Sequence, residues 1–371
     1  MTKGRVGALQ VLNALTDKVP SRARRKVKDS SIVYSLVRPN QQHYALLKEP
    51  PNSMLVSTGF AVIDADKSKV LPRYLYYALT TKEATSYFQT LAEQSVSTYP
   101  TLGVKDLASF KICLPDIDTQ KQVSSILGTL DKKMNLNYQI NDYLLELATV
   151  RFEQALISES DTFRFSELVE LEDSKREPLN SRDRETRKGI YPYYGATSIM
   201  DYIDDYLFDG IRVLVGEDGT VIQEDGKPVL QYVWGKYWVN NHAHVLRSKS
   251  DYSLEAIYIA LARTAISHIV TGAVQMKISQ KNLNNLELEM PQPSSLRYLE
   301  DIFTLYRKST EESKMLERLR DLLLPRLMSG EIDVSKIDIT QLNNHLAHQW
   351  LALIFPLVRL KVLSLSDHCL L

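Results

Sequence analysis

The sequence contains an internal repeat with a spacing of 176 residues. Three positions recur with the same residue and a fourth with a similar one, namely Lys105 with Lys281, Leu107 with Leu283, Pro115 with Pro291 and Leu102 with Ile278. A second echo, 182 residues apart, relates Leu75–Leu79 to Ile257–Leu261, which implies a six-residue insertion or deletion between the echoes. Each proline precedes a long run of helix-forming residues. A duplicated unit of this kind predicts a two-fold architecture.

Composition is that of an ordinary globular protein with room for two or three domains. The 371 residues are 44% hydrophobic and 24% charged. Lys plus Arg and Asp plus Glu both number 45, so a uniformly basic nucleic-acid binder is disfavoured, although local basic patches are allowed. With Cys113 and Cys369 as its two cysteines, the chain is expected in a reducing, cytoplasmic compartment.

Targeting and membrane segments are not expected. The N-terminus has no apolar core of the signal-peptide type. The apolar run Trp350–Leu365 is interrupted by Pro356, Arg359 and Lys361, and it is too short and too charged for a membrane span.

A heptad pattern runs from Asp118, where a capping sequence begins, to Ile157. Its two series are Val123, Leu130, Asn137 and Leu144, and Ile126, Lys133, Ile140 and Leu147. The run 176 residues later is patchier, but it is apolar at Leu299, Ile302, Leu316, Leu319 and Leu323. A helix on a globular core explains either run alone. Two runs in matching register favour a helix pair, each helix about 35 to 50 Å long.

The remaining elements are predicted from composition and turn signals. In the first half we expect strands at Ser31–Leu36 and Leu55–Asp64 and a helix at Pro72–Leu91. In the second half the expected elements are strands at Arg212–Gly216, Gly219–Gln223, Val229–Trp234 and Trp238–Leu246, and a helix at Ser253–Ile269. Asp-Gly turns at Asp218–Gly219 and Asp225–Gly226 separate the strands.

No complete catalytic constellation is visible. Pro228 follows Gly226-Lys227 where a phosphate-binding loop requires Ser or Thr, and no glycine fingerprint for a dinucleotide or methyl-donor cofactor follows a predicted strand. A nuclease needs clustered carboxylates, and Pro115-Asp116 and Glu312-Ser313-Lys314 fit such a cluster only when forced; the latter lies on the second helix and is better explained by a solvated face. His242 and His244 have no third metal ligand nearby, which favours hydrogen-bonded structural roles. The chain is therefore expected to be non-catalytic.

Two loop-rich sets carry side chains that bind phosphates and read base edges. The first set is Arg22, Arg24, Arg25, Lys26, Arg38, Asn40, Gln42, His43, Thr98 and Tyr99. The second set is Tyr194, Thr197, Asn241, His242, Gln275 and Lys277. Solvated surface explains each patch better when it is taken singly. Their parallel placement in two repeated units favours DNA binding.

With the repeat and both helices in view, the chain resembles the specificity subunit of type I restriction–modification enzymes. The likeness covers about residues 20 to 340. It is carried by segments in a fixed order: Val33–Asn40 with Ser57–Val62, Leu114–Asn141, Tyr191–Ala196, Asn241–Leu246 and Leu324–Ile332.

The resemblance implies an α+β fold, in which two α/β target recognition domains are separated by two long helices packed as an antiparallel coiled coil. The first recognition domain would span 1–115 and be shortened at its N-terminus, with the first helical spacer at 116–160. The second recognition domain and spacer would span 161–293 and 294–335, and 336–371 would form an atypical tail.

The resemblance also implies partners. The chain would bind a bipartite double-stranded DNA site and carry no cofactor, metal or membrane segment itself. Two modification subunits would bind S-adenosylmethionine and methylate adenine, and restriction or translocase subunits would use ATP and Mg²⁺. With helices near 50 Å, the half-sites would lie about 15 base pairs apart or somewhat less.

Three alternatives are open. The chain could be a helical scaffold or assembly protein that does not read DNA. It could be an inactive, truncated recognition subunit, because its first unit is short. A stand-alone nuclease or methyltransferase is disfavoured because no catalytic constellation appears.

Overall fold

The computed structural model describes residues 1–7, 9–13, 16–95, 99–272 and 275–336. The chain divides into two compact units. Unit 1 comprises Met1–Gln139 with the described residues from Ser309 onward, and unit 2 comprises Ile140–Lys308. Beyond residue 336, the predicted tail lies outside the described residues. Among the helices that the structure describes, none has the length and apolarity needed to cross a membrane.

In the part of unit 1 that the structure describes, the strands form two small antiparallel sheets. Its strands are β1 (Ala23–Lys26), β2 (Ile32–Ser35), β3 (Tyr44–Leu46), β4 (Leu55–Ser57) and β5 (Phe60–Ile63). Strand order is β3-β2-β5 in one sheet and β1-β4 in the other. All of β2 is buried, because Ile32 and Tyr34 pack in one hydrophobic cluster while Val33 packs in another. Burial on both faces explains why β2 is continuously apolar rather than alternating.

The helices of unit 1 surround the first of these clusters. They are α1 (Pro72–Leu79), α2 (Lys82–Glu93), α3 (Val104–Ser109) and the first part of α4 (Ile117–Ser158). The predicted single helix Pro72–Leu91 is wrong in its continuity. Thr81 has an extended backbone and its hydroxyl accepts from the Ala84 N–H at 3.1 Å, so it starts a new helix.

Two further predictions for unit 1 need correction. The predicted strand Leu55–Asp64 is two strands that belong to different sheets, because Thr58 and Gly59 turn the chain between β4 and β5. The cap of α4 is Asp116 rather than Asp118: its carboxylate accepts from the backbone N–H groups of Asp118 and Thr119 at 3.0 and 2.9 Å.

The described residues of unit 2 form three sheets. Its strands are β6 (Ser160–Arg164), β7 (Val169–Leu171), β8 (Lys188–Tyr194), β9 (Ile199–Ile203), β10 (Phe208–Asp209), β11 (Arg212–Gly216), β12 (Leu230–Val233), β13 (Lys236–Val239), β14 (Ala243–Ser248) and β15 (Glu287–Pro291). Their orders are β10-β13-β8-β9, β12-β11-β14-β7 and β15-β6. The pair β8 and β13 is parallel, and all other pairs are antiparallel.

In unit 2, the strands predicted from one uninterrupted apolar run are correct, and the strands predicted across a turn of the chain are wrong. Strand β11 coincides with the prediction and β12 lies within it. Gly219–Gln223 is a loop, not a strand, because Gly219 and Gly226 adopt φ of +82° and +85° and turn the chain at both ends. Trp238–Leu246 is two strands, because the chain turns at residues 240–242.

The helices of unit 2 are α5 (Phe165–Leu168), α6 (Ser181–Thr186), α7 (Leu254–Arg263), α8 (Gln280–Asn284) and the first part of α9 (Tyr298–Met328). The predicted helix Ser253–Ile269 was too long: α7 ends at Arg263, and Thr264 has extended backbone angles. Helix α9 is anchored by Tyr232, whose hydroxyl donates to buried Glu255 at 2.6 Å and contacts Arg307, and whose ring packs edge-on against Phe303.

Within unit 1, helices α4 and α9 pack side by side and antiparallel. Asp131 contacts Arg320 at 3.2 Å, while Asn137, further along α4, contacts the Ser309 carbonyl at 3.4 Å. Seven of the eight predicted seam positions of α4 are buried, and the exception is Leu147, which is half-buried where Ala148 is fully buried. An α-helix drifts away from a strict seven-residue repeat, so the buried position shifts by one.

The α9 seam is buried at Leu299, Ile302 and Leu316, as predicted. The prediction for Leu319 is wrong, because it is 43% exposed. Leu324 and Leu327 are buried near the helix end instead and pack with the core of unit 1.

A polar layer lies inside the helix pair. The Lys133 side chain is 4% exposed, and its ammonium lies 3.3 Å from the Glu312 carboxylate, which also accepts from the Asn137 amide at 2.8 Å. Ser309 and Ser313 are buried beside them. A buried ion pair contributes little net stability, but removing one partner leaves an uncompensated charge.

We therefore expect Glu312→Leu to lower the free energy of unfolding by about 3 kcal/mol, because it leaves the Lys133 ammonium buried without its carboxylate. Adding Lys133→Met to that variant should restore most of the loss. Urea denaturation of the two variants measures both effects. Glu311→Leu, which breaks an exposed pair with Lys314, is the control and should change stability by under about 1 kcal/mol. Equal losses in the single and double variants would contradict a charge-burial effect.

Candidate nucleic-acid interface

In unit 1, the loop after β2 is tied to the segment before α3. The Leu102 N–H donates to the Leu36 carbonyl at 2.7 Å, and the Arg38 N–H donates to the Pro100 carbonyl at 2.9 Å. These bonds hold Arg38 next to the segment that carries Tyr99.

Unit 2 repeats this connection. The Ile278 N–H donates to the Glu217 carbonyl at 2.8 Å, and the Gly219 N–H donates to the Met276 carbonyl at 2.9 Å. Met276 and Ile278, which precede α8, lie 176 positions after their unit 1 counterparts. Glu217 and Gly219, which follow β11, lie 181 positions after theirs. The repeat seen in the sequence is therefore a repeated tertiary contact.

Arg38 adopts a left-handed backbone conformation with φ of +48°, at the position where unit 2 has Gly219 with φ of +82°. Such a conformation costs a residue with a Cβ about 1–2 kcal/mol, a cost that glycine avoids. The Arg38 guanidinium lies 4.7 Å from the centre of the exposed Tyr99 ring, close enough for a cation–π contact. A strained, exposed arginine at this position suggests that its side chain has a role.

Strand β1 and the residue before it carry the cationic cluster of unit 1. The cluster consists of Arg22, Arg24 and Lys26, which are exposed, and Arg25, which is half-buried. Among the described residues, no carboxylate lies within ion-pair distance of these four, whereas the neighbouring Lys28 contacts Asp64 at 2.9 Å. Their charges are therefore available for phosphate groups.

The other predicted residues of unit 1 differ in availability. Asn40 is exposed, and its backbone N–H donates to the Gln89 side chain at 3.1 Å. Gln42 is half-buried with φ of +55°. His43 Nδ1 lies 2.7 Å from the Met1 carbonyl, so one ring nitrogen is engaged within the protein. Thr98 lies outside the described residues.

Three segments converge in unit 2. The Glu217 N–H donates to the His242 carbonyl at 2.8 Å, which joins the loop after β11 to the β13–β14 turn. His242 Nδ1 is hydrogen-bonded to Asp218, so its Nε2 is the ring nitrogen without a partner among the described residues. Lys277 lies 3.4 Å from Glu217, and Asn241 is exposed in the turn. Gln275 is exposed in the segment before α8.

A fourth segment is the tight turn between β8 and β9. The Gly195 N–H donates to the Ser198 carbonyl at 2.9 Å, and Thr197 is exposed within this turn. Tyr194 is half-buried, with its ring edge-on to Tyr237 at 5.7 Å. Thr197 therefore faces solvent, whereas Tyr194 mainly supports the turn.

An ion network lies beneath these loops. Both ring nitrogens of the buried His244 face acceptors: Nδ1 is 2.6 Å from Asp173, and Nε2 is 2.9 Å from the Ile278 carbonyl. The ring is therefore held at both of its nitrogens. The Arg176 guanidinium lies 2.7 Å from Glu217 and 3.4 Å from Asp173. The network fixes the start of β14 and the segment before α8.

Three residues of this network are also a candidate metal site. Asp173, Glu217 and His244 offer ligand atoms within 4.8 Å of one another. Arg176 already bridges both carboxylates, and both ring nitrogens of His244 lie within hydrogen-bond distance of protein oxygens. A structural role therefore explains the cluster.

Asp218 and Asn240 position the site, a role that sequence analysis did not assign to them. Asp218 was assigned only to a turn, but its carboxylate orients His242. Asn240 is 3% exposed, and its side-chain oxygen accepts from the His242 N–H at 2.8 Å. A buried asparagine beside two exposed polar residues has no sequence signal that separates it from them.

Comparisons with known proteins agree on one family. A family model described as the type I restriction modification DNA specificity domain matches residues 25–146 and 157–314. The type I restriction enzyme HindI specificity subunit of Haemophilus influenzae is 33% identical over 135 residues, which are 36% of this chain and 29% of that protein. Along this match the chain spans less than a third of that relative.

Two more distant matches extend over most of the chain. The type I restriction enzyme MjaIX specificity subunit of Methanocaldococcus jannaschii is 20% identical over 363 residues, 87% of this chain and 82% of that protein. A solved type I restriction-modification S subunit from M. genitalium is 16% identical, with a TM-score of 0.46 over 82% of this chain and 83% of that one.

The pKa of Asp173 gives a test of the ion network. Burial alone would raise it, but hydrogen bonds from His244 and Val245 and the charge of Arg176 outweigh burial, so this pKa lies below its usual 3.8. The stabilisation is therefore complete above pH 3.8 and is lost as the pH falls through the lower folded-state pKa.

We expect Asp173→Asn to lower the free energy of unfolding by about 2 kcal/mol at pH 7 and to make stability less dependent on acid pH. Chemical denaturation between pH 7 and pH 3 measures both effects. Asp161→Asn, at an exposed position of the same unit, serves as the control. An unchanged acid dependence in Asp173→Asn would show that this carboxyl does not hold the loops.

Proposed function

Because this chain belongs to the type I restriction modification DNA specificity family, we propose that it is the sequence-reading subunit of a type I restriction–modification complex. Each unit would bind one half of a bipartite double-stranded DNA site. The observation that carries the proposal is the repeated loop connection, which presents Arg38 in unit 1 and the loop that orients His242 in unit 2.

The exposed side chains have chemistry suited to DNA. The unpaired cations of β1 would contact phosphates without regard to sequence. Arg38 and Asn241 can each form two hydrogen bonds to a base edge, with guanine and adenine respectively. His242 would use Nε2, since Asp218 occupies Nδ1. Positioning and base recognition are thus supplied by different residues, as is usual in protein–DNA interfaces.

We propose that catalysis belongs to partner subunits. The carboxylates that could suggest a nuclease have structural partners: Asp116 caps α4, and Glu312 pairs with Lys133. In this proposal, modification subunits bring S-adenosylmethionine, and restriction or translocase subunits bring ATP and Mg²⁺.

Exposed apolar stripes on the helices support partner docking. On α4 within unit 2, Tyr143, Val150 and Ile157 recur every seven residues and are 69%, 44% and 86% exposed. Such a stripe lies on one side of a helix and is suited to packing against another helix.

A second stripe lies on α9 within unit 1. Met315, Leu319 and Leu322 have helical spacing and are 69%, 43% and 68% exposed. One stripe in each unit supports two modification subunits per chain. The stripes alone would equally suit a scaffold that does not read DNA, and the DNA selection below separates these functions.

The complex reconstituted with its modification subunits should select a bipartite motif from random DNA. Arg38→Ala should lose base preference in one half, and His242→Ala in the other, because each removes a base-edge contact. The expected loss is about 10-fold in affinity per variant. High-throughput sequencing of bound DNA and titration of the selected site give both measures.

Arg247→Ala is the matched control, since Arg247 is exposed and pairs with Glu170 near the far end of β14. It should leave the motif intact. One continuous motif would contradict two-unit recognition, and assembly without any sequence preference would support the scaffold. Unchanged motifs in both loop variants would refute these site residues alone.

A charge introduced into each apolar stripe tests whether the stripe docks a modification subunit. Ile157→Glu and Leu322→Glu should each remove one modification subunit, because a carboxylate cannot be buried in an apolar helix contact. Native mass spectrometry should show a loss of one subunit for each variant and of both for the double variant. Arg318→Glu, at an exposed position of α9, should retain both. Full assembly of the double variant would rule out docking at the stripes.

A further inference from the structure

Met200, on the edge strand β9, is a half-exposed apolar residue at the candidate interface of unit 2. It is 51% exposed. It follows the turn that carries Thr197, and Ile199 beside it is 37% exposed. Single exposed apolar residues are common on proteins, so the way this one is held decides whether it has a role.

The side chain of Met200 is fixed by two neighbours. A Cβ at Gly195 would lie 2.5 Å from the Met200 sulfur, so the side chain lies over this glycine where any larger residue would displace it. The Asn240 amide donates to the Met200 sulfur at 3.3 Å. Asn240 is buried, and sulfur is a weak acceptor. This amide therefore orients the thioether more than it stabilises the fold.

Asn240 also links Met200 to the polar loops. Its backbone N–H donates to the Tyr194 carbonyl at 3.0 Å, and its side-chain oxygen accepts from the His242 N–H. One buried residue therefore holds the thioether on one side and the turn with Asn241 and His242 on the other. The apolar, polarisable thioether of Met200 therefore lies next to the hydrogen-bonding groups of that turn.

This combination matches the major-groove edge of an adenine–thymine pair. That edge offers a donor and acceptors on the two bases and the thymine C5-methyl, which is the distinctive apolar group in the groove. We propose that Met200 contacts a thymine C5-methyl group in the half-site bound by unit 2, and that Asn240 is its positioning residue. The inference rests on the proposed function and adds a base type that this unit would read.

The test uses the DNA site selected by the reconstituted complex. Each thymine of the half-site that responds to His242→Ala is replaced in turn by deoxyuridine, which lacks only the methyl group. Wild-type protein should lose about fourfold in affinity at one of these positions, the effect expected for burying one methyl group. Met200→Ala should bind the thymine site more weakly and show no further loss with deoxyuridine at that position.

Two variants sharpen the comparison. Met200→Leu keeps an apolar side chain and should keep the deoxyuridine effect. Leu114→Ala shortens an exposed apolar side chain of unit 1, 44% exposed, outside the docking stripes and should bind both DNAs as the wild type does.

Failure of this inference differs from failure of the proposed function. If no bipartite motif is selected, the proposed function fails. If a motif is found but its unit 2 half contains no thymine, or deoxyuridine weakens wild type and Met200→Ala equally, the methyl contact is overturned. Equal weakening of Met200→Ala on both DNAs, with no deoxyuridine effect in wild type, would also overturn it and indicate insertion between base steps.

Discussion

In each unit, short backbone hydrogen bonds join the two segments that carry the candidate DNA-contacting side chains. In unit 1 they join the chain leaving β2 to the segment before α3, and in unit 2 they join the chain leaving β11 to the segment before α8. Each bond unites residues more than 55 positions apart in sequence. Without such a tether, the exposed side chains would lie on independent loops whose ordering on DNA would cost conformational entropy. Arg38, Tyr99, His242 and Lys277 depend on it for their positions.

The elements that sequence could predict are those decided by local periodicity. Helix α4 begins and ends within one residue of the prediction, because its heptads are uninterrupted by proline. Strand β11 was predicted correctly because its apolar run is bounded by turn residues. The predictions were wrong where a single residue interrupts a segment whose composition would otherwise continue the helix or strand. Thr81 starts a helix inside a helical composition, and Gly219 converts an apparent strand into a loop.

The candidate site was predictable in residue type but not in geometry. Loop cations and amides mark an interface from sequence, since hydrogen-bonding side chains at turns are solvent-accessible. The partner of His244, however, is Asp173, which lies 71 residues earlier and acquires its role only when β14 packs against the chain that follows β7. Asn240 and Met200 also meet only through tertiary structure. Residues that orient other residues leave no pattern in a single sequence.

The polar layer between α4 and α9 restricts how the helices can slide. Lys133 faces Glu312, and a shift by one heptad would bring it towards Leu319 instead. A buried ammonium opposite leucine would cost several kcal/mol, whereas leucine against leucine would tolerate the slip. The charged pair therefore permits one register of the two helices. It excludes the neighbouring registers that a uniformly apolar contact would allow.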